Sequence, residues 1–204
     1  MTNIQNYDKN HLMEIYDKNA VKRNNAKIGN FKKIEINTFS QMLYNENMKT
    51  VIDIGCGTGE LTQIFKDKGF NVTGSDLSDQ MLKYTRQKGI ETIKLDCYDI
   101  DKLGIIFDAV FSMNCLLHIP KKDMSSILAK IKTVLKDNGL FYLGLWAGND
   151  FEGIYEEDEY DDKRFYVFYK QKTLIDIVME HFRLEYYRFI TDKKAIFHSL
   201  ILRK

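Results

Sequence analysis

From Val51 to Glu60 the chain reads Val-Ile-Asp-Ile-Gly-Cys-Gly-Thr-Gly-Glu, an apolar run that stops at three alternate glycines. A buried strand delivers Asp53 and then turns, because glycine lets the backbone bend tightly and lets another group come within contact distance. Leu61, Ile64 and Phe65 follow at helical spacing, so the turn joins strand to helix.

The same alternation continues for some ninety residues. Phe70 to Gly74, Glu91 to Leu95, Phe107 to Met113 and Leu140 to Trp146 read as strands. Ser78 to Lys88, with Ser78 as N-cap, and the face formed by Met124, Ile127, Leu128, Ile131 and Leu135 read as helices. Lys68-Gly69, Lys88-Gly89 and Asn138-Gly139 each look like a left-handed helix stop followed by a strand. Repeated units of this size predict a parallel sheet with helices on both faces. Ahead of it, apolar spacing predicts helices over Leu12 to Ala20 and Phe31 to Leu43, after a polar, Asn-rich opening. At the other end, Phe182 to Ile190 and Ala195 to Leu202 are separated only by Thr191 to Lys194. A parallel crossover needs about a dozen residues, so this pair must be an antiparallel hairpin. The expected arrangement is a helical lid over residues 1–47 and one globular sheet domain over 48–204.

Composition narrows the function classes. The net charge is +1, and Lys22-Arg23, Lys32-Lys33, Lys121-Lys122 and Lys193-Lys194 are isolated pairs, so no basic face for duplex nucleic acid is expected. Cys56, Cys97 and Cys115 are widely spaced and form no metal-ligand pattern; a reducing cytoplasm suits them, and no metal site is expected. The opening residues lack the basic start and apolar core of a signal peptide. Ile105 to Pro120 is interrupted by Asp108, Asn114 and His118 and is too mixed to span a bilayer.

A dinucleotide fingerprint is G-x-G-x-x-G, and counting from Gly55 its third position is Glu60, whose carboxylate opposes a pyrophosphate. Asp53, two residues before the turn, suits a cationic group instead. Asp76, at a strand end about 20 residues past the glycines, can accept both hydroxyls of a ribose. Asp96 ends the next strand, although a plain loop-turn role remains open for it. Three carboxylates at three successive strand ends point to a ligand in the crevice there.

VIDIGCGTGELT resembles motif I of the class I S-adenosylmethionine-dependent methyltransferases, and the similarity runs from about Val51 to Arg203. The resemblance implies a Rossmann-like three-layer α/β sandwich whose mostly parallel, seven-stranded sheet carries an antiparallel last strand. It implies S-adenosylmethionine as cofactor and S-adenosylhomocysteine as product. Gly55, Cys56, Gly57, Thr58 and Gly59 would pack against the methionine part, with Asp53 acting through charge or water. Asp76 would hold the ribose, Leu77 the adenine face, Asp96 the adenine amino group, and the Cys97 N–H the ring.

The end of the fourth strand, including Met113, Asn114 and His118, should face the sulfonium and the acceptor. A D/N-P-P-Y/F motif is missing there, and no cysteine follows a proline, which disfavours both nucleobase-methylating classes. His118 is the titratable residue with a mechanistic use, as a neutral base, against the alternative of a buried, hydrogen-bonded histidine. Seven carboxylates crowd Glu152 to Asp162 after Trp146, interleaved with Tyr155 and Tyr160. They read either as a solvated insertion or as a cover on the acceptor pocket that favours a cationic or amine substrate. Gly-x-x-x-Glu-Gly, the acidic run and Arg164-Phe165-Tyr166 resemble a bacterial subgroup of small methyltransferases. Tyr7 and Tyr16 are candidate aromatic caps or simple packing residues, and Tyr16, His118, Trp146 and Tyr155 form the expected acceptor pocket.

The expected activity is methyl transfer to O or N of a small molecule by a monomer or homodimer. An RNA- or protein-modifying enzyme and a non-catalytic cofactor-binding subunit stay open as alternatives. A nicotinamide dehydrogenase is disfavoured by Glu60 and the terminal hairpin.

Overall fold

The central strand of the computed structural model, β1 (Thr50–Ile54), is hydrogen-bonded in parallel to β2 (Asn71–Asp76) on one side and β4 (Phe107–Met113) on the other. Residues 7–192 and 195–204 are described; Met1 to Asn6 of the polar opening, and Lys193 and Lys194 of the hairpin turn, lie outside them. β3 (Glu91–Lys94) extends the sheet beyond β2, and β5 (Leu135–Trp146) extends it beyond β4, both in parallel. β8 (Arg183–Asp192) and β9 (Ala195–Arg203) complete the order β3-β2-β1-β4-β5-β9-β8. β9 runs antiparallel to both β5 and β8. Chain order reverses between β1 and β4, the position where open α/β sheets leave a crevice at the strand ends.

Strand periodicity explains the three layers. Ile52, Val110, Phe141 and Leu143 face one side, in a core with Ile127, Leu128 and Ile131 of α5 (Lys121–Thr133) and Leu174 and Val178 of α6 (Gln171–Met179). Their neighbours Val51, Ala109, Phe111 and Tyr142 face the other, against Ile36, Phe39 and Leu43 of α2 (Asn30–Asn45) and Phe65 of α3 (Glu60–Asp67). Successive residues thus serve opposite cores, which is why these strands read as unbroken apolar runs. Ser78 caps α4 (Asp79–Gln87) as expected, its hydroxyl accepting the Met81 N–H at 3.1 Å.

α1 (Lys9–Asn24) is capped by Asp8, which accepts the Asn10 and His11 N–H groups, and buries fully only Ile15 and Ala20. Polar ties hold it in place. Asp17 accepts the Ser78 hydroxyl and the Gln80 N–H of α4, and Lys9 pairs with Asp96 at 2.8 Å.

One expected helix stop needs correction. Gly69 and Gly89 take left-handed φ values of 85° and 67°, but at the third stop it is Asn138 that does so, with φ 60°. α5 has already ended at Thr133, and Asn138-Gly139 is a kink inside β5. α6 was not foreseen. The acidic segment, far from being only solvated, is bracketed by the antiparallel pair β6 (Phe151–Ile154) and β7 (Phe165–Phe168) and turns Asp158 and Tyr160 inward. No helix among the described residues is long and apolar enough to cross a membrane.

Candidate active site

The loop after β1 is shaped by close contacts. A Cβ on Gly55, at φ 72°, would lie 2.4 Å from the Cys115 side chain, and one on Gly59, at φ 85°, would lie 2.9 Å from Thr85 Oγ1. α4 braces the loop from below: Thr85 Oγ1 donates to the Gly57 carbonyl and Lys88 Nζ to the Thr58 carbonyl, both at 2.8 Å. Gly57 differs, since nothing lies within 4 Å of where its Cβ would stand.

Above this loop the strand ends form a narrow inner cavity of about 110 Å³, which widens past the end of β4 into an outer one of about 790 Å³. Gly55, Gly57, Asp76, Leu77, Asp96, Cys97 and Met113 line the inner cavity. Tyr16, Arg23, Asn114 and His118 line both, at the junction, and Trp146 and Tyr155 line the outer one. Asp53, Cys56, Thr58 and Gly59 do not reach either surface. Asp53 lies beneath the loop and accepts the Thr62 hydroxyl at 2.6 Å; burial, opposed by that bond, pushes its carboxyl up to about 7. Glu60 also misses the cavity and sits 3.4 Å from Lys88 Nζ, so the repulsion of pyrophosphate ascribed to it does not operate there.

Asp76 accepts the N–H groups of Gly57 and Ser78, each at 2.9 Å, and burial raises its carboxyl despite them. A carboxylate offers about four acceptor positions, so two remain for a ligand. Asp96 accepts the Tyr98 N–H at 3.0 Å in addition to its Lys9 pair. Asn114, with φ 61°, has a buried side-chain oxygen without a hydrogen-bond partner at the junction. Such an oxygen is costly unless a ligand donates to it.

His118 is fixed by geometry. Its Nδ1 lies 2.6 Å from the Phe165 carbonyl, which can only accept, so Nδ1 carries the proton and Nε2 accepts the Tyr16 hydroxyl at 2.7 Å. Burial first, then the Arg164 charge, push the imidazole down to about 3. Arg164 Nη1 donates to Tyr16 Oη at 2.9 Å, while its Nε and Nη2 grip Asp158 at 2.8 and 2.5 Å. The rings of Tyr160, Tyr166 and Tyr16 surround the guanidinium at 4.2, 5.2 and 5.3 Å. Of the aromatic and acidic groups expected to greet a cationic acceptor, Asp158 and Tyr160 are therefore occupied by the protein's own arginine, while Tyr155 bonds Glu157.

Arg23 and Lys32 were passed over as surface pairs. Arg23 had a readable signal, since it shares one helical face with Leu12 and Tyr16 at i, i+4 and i+11, and all three line the inner cavity. Tyr7 lines it too, its ring 5.5 Å from Phe165. For Lys32, contact with the outer cavity depends on how α2 docks, and nothing local announces it.

Residues 51–139 match the family described as Methyltransferase domain. A ubiquinone biosynthesis O-methyltransferase of Idiomarina loihiensis is 34% identical over 101 residues, 46% of this chain and 41% of that protein. One of the same name from Nitrosomonas europaea is 28% identical over 129 residues, 60% of this chain and 54% of that protein. The chain spans about half the length of the curated relatives it matches. Among solved structures, the 1,6-didemethyltoxoflavin-N1-methyltransferase of Burkholderia thailandensis, with its substrate and S-adenosylhomocysteine, has a TM-score of 0.75 at 17% identity, covering 96% of this chain and 88% of that one. The magnesium protoporphyrin IX methyltransferase of Synechocystis PCC 6803, with bound S-adenosylmethionine, has a TM-score of 0.74 at 18% identity, covering 100% of both chains. Residues 51–139 thus carry the signature of a methyltransferase domain, and the sheet as a whole has the fold of these S-adenosylmethionine-dependent methyltransferases.

Proposed function

We propose that the protein moves the methyl group of S-adenosylmethionine to an oxygen or nitrogen of a small molecule held in the outer cavity. The observation that carries this reading is the junction: a carboxylate-lined, glycine-floored inner cavity opens onto an aromatic outer one past Asn114, Tyr16 and His118. The donor set suits an adenosyl sulfonium. Asp76 keeps two acceptor positions that would suit ribose hydroxyls, Leu77 would pack on the adenine, and Asp96 with the Cys97 N–H would hold its polar edge. The open space over Gly57 would admit the methionine part, whose ammonium would find an acceptor in Asn114, with Met113 as an apolar neighbour. Asp53, Cys56, Thr58 and Gly59 support the loop from beneath.

When bound, the cofactor supplies an electrophilic methyl carbon. Tyr16 already donates to His118 and accepts from Arg164, which leaves one lone pair on its oxygen for the acceptor's O–H or N–H. That contact turns the acceptor's own lone pair toward the inner cavity, and alignment of this kind supplies much of a rate enhancement. At an oxygen acceptor, methylation would leave a strongly acidic oxonium, whose proton would pass to Tyr16 as the Tyr16 proton moves to His118 Nε2; a methylated amine would keep its proton and would need no such relay. Tyr16 is thus the catalytic residue, His118 acts through it, and Trp146 and Tyr155 form the acceptor wall.

Of the cover expected over 1–47, α1 is the described part that touches both cavities. The protein works as a monomer or homodimer in the cytoplasm, without duplex nucleic acid. Labelled-methyl transfer against separate metabolite, tRNA and protein pools tests the reading. Label in the metabolite pool is the expected result; label only in tRNA or protein, or cofactor binding without transfer, overturns it.

A further inference from the structure

Charge around the outer cavity is unevenly paired. Arg164 is neutralised by Asp158, and the three tyrosine rings around it leave no empty cage for a substrate cation. Arg23, near the end of α1, and Lys32, in the first turn of α2, also line this cavity and are half-buried. Neither side chain makes an ion pair or hydrogen bond among the described residues; burial pulls the Arg23 guanidinium down, but attraction to Tyr16, Tyr160 and Glu159 leaves it raised, and Glu159 draws on Lys32 as well. Burial first, then repulsion from Arg23, push the Lys32 amine down to about 8. Two further carboxylates share the cavity: Glu157 accepts the Tyr155 hydroxyl at 3.0 Å, and Glu159, with a side chain 57% exposed, stands 4.0 Å from Arg164 and attracts Arg23 and Lys32 without pairing with either. Partly withdrawing two cations from water with only an exposed, unpaired carboxylate nearby is unfavourable, and a bound anion between them would lessen the penalty.

We propose that the methyl acceptor carries an oxyanionic group held between Arg23 and Lys32, on a flat apolar body lying against Trp146 and Tyr155. This specifies the substrate class of the transfer reaction proposed above and rests on that reading. The guanidinium fork of Arg23 matches the two oxygens of a carboxylate or phosphate, and Lys32 adds a point charge on the same group. Lys32 lines only the outer cavity and Arg23 reaches it from the junction, so an anion shared by both would sit on the outer side and leave the oxygen or nitrogen of such a molecule free to face Tyr16. Asp158, one of the acidic groups read from sequence as a receptor for cations, serves in this arrangement to hold Arg164 under Tyr16.

Calorimetry on the full chain tests it with two matched pairs of probes, benzoate against benzamide and phenyl phosphate against phenol. At least one anion should bind roughly tenfold or more tightly than its neutral partner, as loss of a charge-assisted bond in a partly desolvated site implies. Lys32→Gln should abolish most of that preference, and Arg23→Gln/Lys32→Gln all of it. Equal affinity within both pairs, no measurable binding of any probe, or a preference that survives the double variant overturns the proposal. S-adenosylhomocysteine is titrated into the same preparations. Lys32→Gln should bind it like the wild type, because Lys32 does not line the inner cavity. A wild-type protein that ignores S-adenosylhomocysteine yet prefers the anions defeats the methyltransferase reading and leaves the anion site standing.

Discussion

Tyr16 and His118 stand 102 positions apart and meet at 2.7 Å, hydroxyl to Nε2, where the inner and outer cavities join. The contact closes a chain of bonds from the Phe165 carbonyl through His118 and Tyr16 to Arg164 and Asp158. Tyr16→Phe removes the oxygen that faces the acceptor and should lower kcat at least tenfold with S-adenosylhomocysteine affinity unchanged. His118→Ala should lower kcat less, raise KM for the acceptor as Tyr16 loses its orientation, and remove the part of the low-pH fall in rate that protonation of the imidazole near 3 causes. Wild-type rates in Tyr16→Phe would reduce the pair to packing.

Two buried groups titrate in opposite senses. His118 falls from an ordinary value of 6.5 to about 3, so between those values the unfolded chain takes up a proton that the folded one refuses, and stability drops as pH falls. Asp53 rises from 3.8 to about 7, so the folded chain protonates first, and stability climbs as pH falls from 7 to 3.8. Each contributes up to about 1.4 kcal/mol per pH unit, and in their shared window they oppose one another. The loss of stability in His118→Asn should therefore shrink between pH 7 and 5, measured by urea denaturation. Parallel curves across that range would disprove the assignment.

Asp76→Ala should weaken S-adenosylhomocysteine binding by a factor of at least about ten, since it deletes the acceptor positions left after Gly57 and Ser78 are served. Titration calorimetry reads this directly, and a circular dichroism melt separates it from unfolding. Unchanged affinity refutes the ribose role.

Asp158→Ala leaves a buried guanidinium without its partner and should cost about 3–5 kcal/mol in chemical denaturation. Replacing both by apolar residues, Asp158→Leu with Arg164→Met, should restore most of that stability while sparing cofactor affinity. A cost below about 1 kcal/mol for the single variant contradicts the burial of this pair.

The glycines should separate. Gly55→Ala drives a methyl group into Cys115 and should destabilise the fold, whereas Gly57→Ala meets no protein atom and should cost only the backbone strain of its φ of 56°. Its larger effect is expected on S-adenosylhomocysteine affinity. The reverse ranking in paired melting and binding measurements would relocate the ligand.

What could be read from residues alone follows the range of the forces involved. The strand-to-helix alternation, the Ser78 cap and the terminal hairpin are local, and they stand in the fold where the spacing put them. Asn138-Gly139 misled because a left-handed pair looks the same inside a kinked strand as at a helix end. β6 and β7 escaped notice because four-residue strands flanking a charged run have too little periodicity to announce themselves. The acidic run was misjudged for the same reason. Which of its carboxylates turns inward is decided by Arg164 and three tyrosines, one of them on α1, and not by neighbours in sequence. Asp76 and Asp96 at the cavity rim were legible from strand ends. That Asp53 and Glu60 point away from it depends on Thr62 and Lys88, which only the folded chain brings beside them.

α1 supplies Tyr16 and Arg23 to the junction, yet only Ile15 and Ala20 anchor it through full burial, and Lys9–Asp96 fastens its outer end at a half-exposed position. The wall that completes the crevice is thus attached mainly by charge and hydrogen bonds, which dissolved ions weaken, rather than by oil-like contact, which they do not. Raising the ionic strength should loosen this wall before any other part of the molecule, making ambient salt a throttle on access to the reaction chamber.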